Sequence, residues 1–134
     1  MRKIVVIGIL LVSLVINQGA CPFEPSELAF DIGWEEQGFS QIDTTGYIIT
    51  GTTSSGVHTH YGVAACNPHL GEVAILYTVD GHYLGTFIVA DTGSNSKLVN
   101  GTSIDVWMPS YDVAKAWMTV TQGRVMCKFV QGVG

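Results

Sequence analysis

Basic residues are scarce in this chain: six Lys and Arg among 134 residues, against eleven Asp and Glu. Two of the six, Arg2 and Lys3, stand at the very start, so beyond residue 20 four bases face eleven acids and the net charge is −7. A surface that acidic has no electrostatic footprint for nucleic acid, and that partner class is excluded. Cysteine is also sparse, with only Cys21, Cys66 and Cys127. Three are too few for the dense disulfide framework of a small inhibitor or toxin. Nor is there an apolar run long enough to span a bilayer, which needs about 20 residues. The longest, residues 4–16, has thirteen.

That short run follows Arg2 and Lys3 and precedes Asn17-Gln18-Gly19-Ala20. A positive start, an apolar stretch and small or polar residues are the layout of a secretory signal peptide over residues 1–20. The expected product is secreted or associated with the cell wall, with no stable membrane span after processing and monomeric. A lipoprotein acylated at Cys21 and an uncleaved anchor are the alternatives. In an oxidising compartment Cys66 and Cys127 are the expected disulfide, with unpaired buried cysteines as the other option.

What remains is enough for one domain, since 47% of the chain is hydrophobic. Residues 22–43 hold six of the eleven acids and no base. A one-signed stretch repels itself, so residues 21–45 are expected to be an acidic tether. Phe30, Ile32, Trp34 and Phe39 are expected to dock on the domain, with a short helix over residues 28–37. From residue 46 to 134 the pattern is of short strands with frequent turns. Strands are expected at 47–50, 61–66, 73–79, 83–90, 103–108 and 124–130, with a flexible loop at 51–56. Asp80-Gly81 between the third and fourth is a hairpin signal. Only residues 110–118 have helical spacing, with Ser110 as N-cap. The fold class is therefore all-β, a small six-stranded closed barrel with one short helix.

Two segments carry the chemistry: Val89-Ala90-Asp91-Thr92-Gly93 and Gly101-Thr102-Ser103-Ile104-Asp105-Val106-Trp107. Each Asp follows apolar strand residues, so both are expected at strand ends, where loops open onto a groove. An acid flanked by Ile104, Val106 and Trp107 is partly desolvated, which raises its pKa and keeps a transferable proton at neutral pH. His58 and His60 share a strand face and could bind a metal together with His69 or His82. Nothing fixes a third ligand and no carboxylate has zinc-like spacing to them, so no metal or other cofactor is expected. Trp107 and Trp117 are expected in the core rather than as sugar platforms. Asn100-Gly101-Thr102 is a glycosylation sequon, meaningful in a eukaryotic source.

The ordered series Asp91-Thr92-Gly93, a glycine-containing loop, then Ile104-Asp105-Val106 and Trp107 resembles the three-aspartate domain of the A-type membrane-bound lytic transglycosylases and of small sporulation proteins. Tyr61-Gly62-Val63-Ala64-Ala65 before Asn67-Pro68, Leu70-Gly71, Tyr83-Leu84-Gly85, Pro109-Ser110-Tyr111 and Arg124-Val125 extend the resemblance over residues 47–130. It departs in two places: the loop at residues 94–101 is lengthened, and Asn67 stands where the family has its first aspartate. The resemblance implies a double-psi β-barrel that cleaves peptidoglycan glycan strands between N-acetylmuramic acid and N-acetylglucosamine. It makes Asp105 the catalytic acid, with Asp91 orienting the site or stabilising charge. The expected substrate-binding residues are Thr53, Asn67, Thr92 and Gly93: Thr92 and Gly93 shape the loop, Thr53 hydrogen-bonds sugar, and Asn67 keeps the hydrogen bonds of the family's first aspartate without its charge. The rival is a non-catalytic, expansin-like barrel that binds cell-wall carbohydrate.

Overall fold

A computed structural model describes residues 33–132. The expected signal peptide, Cys21, Phe30 and Ile32 lie outside the described residues. Six strands form a closed barrel: β1 (Ser40–Tyr47), β2 (Val63–Ala65), β3 (Val73–Tyr77), β4 (Tyr83–Asp91), β5 (Ser103–Trp107) and β6 (Arg124–Val130). Two helices interrupt them, α1 (Ser96–Asn100) and α2 (Tyr111–Thr121), with 3-10 turns at Glu35–Gln37 and Asn67–His69. The order around the barrel is β1-β5-β2-β4-β3-β6. Adding three to every strand number returns the same closed order. The parallel pair β1/β5 is thereby matched by the parallel pair β4/β2, on either side of the antiparallel pair β2/β5. The two halves of the chain thus interleave, and β4, which ends at Asp91, and β5, which holds Asp105, are not adjacent.

The chain forms two compact units. The larger comprises Ile42–Leu76, Gly85–Val125 and the residues from Phe129. Its core is built from Val63, Val89, Phe87, Ile104, Val106 and Val125, all at most 1% exposed. Each such side chain contributes about 1.5–3 kcal/mol by leaving water. Helix α2 starts because the Ser110 Oγ accepts from the Val113 N–H at 3.2 Å. It ends at Gln122, whose φ of 54° is left-handed. Ala114, Trp117 and Thr121 fall on one face and are buried. The Trp117 ring meets Phe87 edge-on at 5.8 Å, and its Nε1 donates to the Thr44 Oγ1 at 3.0 Å. Trp117 is a core residue, and Trp107, 8% exposed, is another, packed with Val63 and Ala90.

The smaller unit comprises Tyr77–Leu84, Met126–Lys128 and the described residues up to Gln41. Here Trp34, Phe39, Tyr77 and Tyr83 form a chain of rings, with successive centroids 5.2, 5.5 and 5.3 Å apart. Offset and edge-to-face pairs of this kind add about 0.5–1.5 kcal/mol each beyond area burial. The Asp80 turn is closed by Thr78, whose Oγ1 donates to Asp80, and this hydrogen bond holds the Asp80 carboxyl below the usual range.

Three expectations need correction. The barrel begins at Ser40, six residues before the expected start at 46, so the segment 21–45 is not a tether throughout. Phe39 is 9% exposed and Thr44 is 1% exposed, so both belong to the packed protein. The strand expected at 47–50 is instead the end of β1: its register with β5 finishes at Tyr47↔Trp107, and Ile48 and Ile49 are exposed because no partner continues beyond it. Only a 3-10 turn at Glu35–Gln37 occurs within the part of the expected helix that is described.

Cys66 and Cys127 do not form the expected bridge; Cys66 is a free thiol and both are buried. The strand order is the reason. Cys66 follows β2 and Cys127 lies in β6, three steps apart whichever way one travels round the barrel.

Candidate active site

Asp91 is the last residue of β4, as expected. Asp105 stands in the middle of β5 rather than at a strand end, because β5 continues through Trp107 paired with β1; β2 lies between the two. Parallel pairing sets Thr45 of β1 opposite Asp105, antiparallel pairing sets Asp105 opposite Ala65 of β2, and Ala65 pairs with Asp91. Four neighbours therefore form one row: Thr45, Asp105, Ala65, Asp91. The row depends on a bulge. Val63 pairs with Ile88 and Ala64 with Val89, but Ala65 skips Ala90 and pairs with Asp91. In an unbroken ladder Ala90 would occupy the row and Asp91 would point to the opposite face. The bulge sends Ala90 into the core, where it is 2% exposed, and delivers Asp91 to the side of Asp105. Two strand spacings put the backbones of the aspartates about 10 Å apart. Ala65 between them has only a methyl group, so the space above it stays open.

That space is a cleft of about 270 Å³, lined by Tyr47, Thr52, Thr59, Leu98 and the two aspartates among others. The two carboxylates meet different surroundings. Asp91 Oδ1 accepts from the Thr92 N–H at 2.9 Å, the Ser54 N–H at 3.1 Å and the Ser54 hydroxyl at 3.2 Å. Its Oδ2 accepts from the Tyr47 hydroxyl at 3.1 Å. Four donors need an acceptor-only group, which an ionised carboxylate is. The Tyr47 phenol is itself held well above its usual pKa by burial and then by Asp91, so it remains a donor.

Asp105 has one side-chain donor among the described residues, the Thr45 hydroxyl, at 2.9 Å from Oδ1. Burial raises its pKa, the nearby charge of Asp91 raises it further, and the Thr45 hydrogen bond partly opposes both. Asp91 is held in place by its four donors, and Asp105 is an acid whose pKa lies above the ordinary carboxylate range. Environments that differ in this way divide roles between two like groups.

The loop after Asp91 is clamped by Asn67. Its Nδ2 donates to the Gly93 carbonyl and its Oδ1 accepts from the Gly93 N–H, both at 2.9 Å. Asn67 thus holds the loop rather than lining the cleft. A Cβ added at Gly93 would lie 2.6 Å from the Leu98 Cδ1, so the Leu98 side chain of α1, which packs over this glycine, would have to shift. Helix α1 forms within the lengthened loop, where a plain loop was expected. Asn95 caps it by accepting from the Lys97 N–H at 2.9 Å, and Gly101, at φ 83°, ends it. The Thr92 hydroxyl is 2.6 Å from the Ser54 hydroxyl.

Thr53 does not reach the cleft. It is 5% exposed, its Oγ1 accepts from the Val57 N–H at 3.2 Å, and it stabilises its own turn. Its neighbours are the residues at the cleft: Thr52 lines it, and the Ser54 hydroxyl donates to Asp91 Oδ1. Thr45, Tyr47 and Ser54 are site residues that motif reasoning missed. The paired β1/β5 register reveals the first two, and nothing local to Ser54 marks it. Among the described residues no three His, Cys, Asp or Glu side chains gather to hold a metal ion. His69 pairs with Glu72 at 2.7 Å and stacks on Phe129, and His82 lies 3.2 Å from Asp80.

No family model, curated protein or solved structure matches this chain.

Proposed function

We propose that the protein is a lytic transglycosylase of peptidoglycan, exported by residues 1–20 and built on a double-psi barrel. Asp105 protonates the oxygen linking N-acetylmuramic acid to N-acetylglucosamine, and the C1–O bond breaks as that proton arrives. The muramyl C6 hydroxyl then attacks C1, forming the 1,6-anhydro ring, and Asp105 takes the hydroxyl proton and is restored. Since an internal hydroxyl replaces water, no second carboxylate has to activate a nucleophile, unlike the usual two-carboxylate hydrolases. Asp91 stabilises the positive charge that develops on the sugar ring, and Tyr47 and Ser54 keep Asp91 in place.

The observation that carries this proposal is the contrast between the two aspartates on one row. Asp105 is half-buried, bonded by a single hydroxyl and shifted upward. Asp91 is saturated with donors beside the same open cleft. The test is mass spectrometry of peptidoglycan incubated with the protein. New 1,6-anhydro ends, lighter than hydrated ends by one water, support the proposal. Hydrated ends mean a hydrolase, and no new ends mean a cell-wall-binding barrel.

A further inference from the structure

A second cleft, of about 700 Å³, opens on the other side of Asp105. Asp105 lines both this cleft and the one shared with Asp91. The wall of the second differs in character. Four basic residues lie between residues 33 and 132, namely Lys97, Lys115, Arg124 and Lys128. Two of them, Lys97 and Arg124, line this one cleft in an otherwise acidic protein, beside the amides of Asn95 and Gln122. The Lys97 Nζ is engaged by Asp43 Oδ2 at 2.6 Å. Among the described residues Arg124 is exposed and has no ion pair, so its charge is uncompensated.

We infer that this cleft is a substrate subsite for a carboxylate-bearing group, with Arg124 as its principal anchor, and that Asp105 stands between it and the cleft at Asp91. The inference rests on the transglycosylase proposal for the identity of the ligand, an amino-sugar strand. Such a strand carries carboxylates only on its peptide stems, or on the lactyl group where a stem is absent. A guanidinium donates two parallel N–H bonds to a carboxylate, and the flanking amide N–H groups can donate to the remaining lone pairs. The other cleft, with its fixed negative charge at Asp91, repels the same group. The two sides of Asp105 therefore differ in sign, and this orients the strand across the acid.

The test measures binding, not cutting, so that the two proposals fail separately. The full chain carrying Asp105→Asn, which leaves the ligand intact, is titrated calorimetrically with two tetrasaccharides. One is a murein fragment with its peptide stems, and the other is the neutral chitin oligosaccharide of equal length. Adding Arg124→Gln should weaken the murein fragment by roughly fivefold or more, the loss of one solvent-screened ionic contact, and leave the chitin oligosaccharide unchanged. Arg124→Lys should restore part of the loss, and Lys115→Gln, on the exposed face of α2, should change neither. Equal weakening of both ligands, no change for either, or no binding of murein by the parent protein would each overturn the subsite. A protein that binds with this selectivity while the wild type produces no new chain ends would refute cleavage and leave the subsite standing.

Discussion

Replacing Asp105 with Asn isolates the proton. The amide fills the same volume, and its oxygen can still accept from the Thr45 hydroxyl now 2.9 Å from Oδ1. It has no proton to give to a leaving oxygen. General acid–base catalysis contributes about 10²–10⁴-fold, so the rate of anhydro-end formation should fall by at least about 10²-fold, or about 2.7 kcal/mol of transition-state stabilisation. Folding should not suffer. Burial raises the folded-state pKa of Asp105 above its unfolded value, so the ionised form is disfavoured in the folded protein. Its contribution to stability is complete below the unfolded pKa and is lost as pH rises through the folded one. Asn cannot ionise, so the variant should melt at the same temperature or higher at neutral pH. The wild-type rate should likewise fall as pH rises through the raised pKa. Two neighbours move that limb in opposite directions. Asp91→Asn removes a charge that raises the Asp105 pKa and should bring the fall to lower pH, while Thr45→Val removes the hydrogen bond that lowers it and should carry the fall to higher pH. The assay is chromatography of anhydro-terminated fragments across pH, paired with thermal melts. An Asp105→Asn protein that cuts at near the wild-type rate would refute the assignment of the acid.

Asn67→Asp sets a carboxylate oxygen against the Gly93 carbonyl now bonded at 2.9 Å, which should cost about 1–3 kcal/mol at neutral pH and less below the ordinary carboxylate range, where the introduced acid can donate. Urea unfolding at two pH values checks this, and a variant as stable as wild type at neutral pH would refute the clamp. A chain starting at Thr44 loses Phe39 and the first half of β1 and should fail to give a cooperative melt, whereas Phe39→Ala in the full chain should cost about 3 kcal/mol. Cys66 is fully buried and its thiol is pushed up to about 11, so it should resist thiol reagents at pH 8 until the protein unfolds. Non-reducing peptide mapping that recovers a Cys66–Cys127 peptide would show the strand order to be wrong.

Much of the barrel could be read locally. Residues 124–130 became β6 as expected, and Ser110 capped α2, because apolar alternation and a side-chain oxygen before a helix act over a few residues. The first strand could not be found in the same way. Residues 40–47 read Ser-Gln-Ile-Asp-Thr-Thr-Gly-Tyr, with too few apolar residues to signal a strand. What makes it one is its pairing with β5, sixty positions away, and Gly46, where an added Cβ would lie 3.3 Å from that of Ala114 in α2. Thr53 lies in a stretch of small polar residues, where a turn of one residue decides whether a threonine faces its own loop or the cleft. Here Thr52 and Ser54 face the site.

The sequence by itself determined that this is a small β-barrel protein with a helix after Ser110, and it singled out the segments that carry Asp91 and Asp105. Strand pattern, capping and the apolar neighbours of an acid are all properties of adjacent residues. Only the tertiary structure decided that the two aspartates share a row, that a skipped Ala90 turns Asp91 toward it, that Thr45 and Tyr47 complete the site, and that Cys66 and Cys127 stay apart. Each of these follows from which strands become neighbours and in what register. Register is set by closing the barrel as a whole, and no short stretch of chain holds that information.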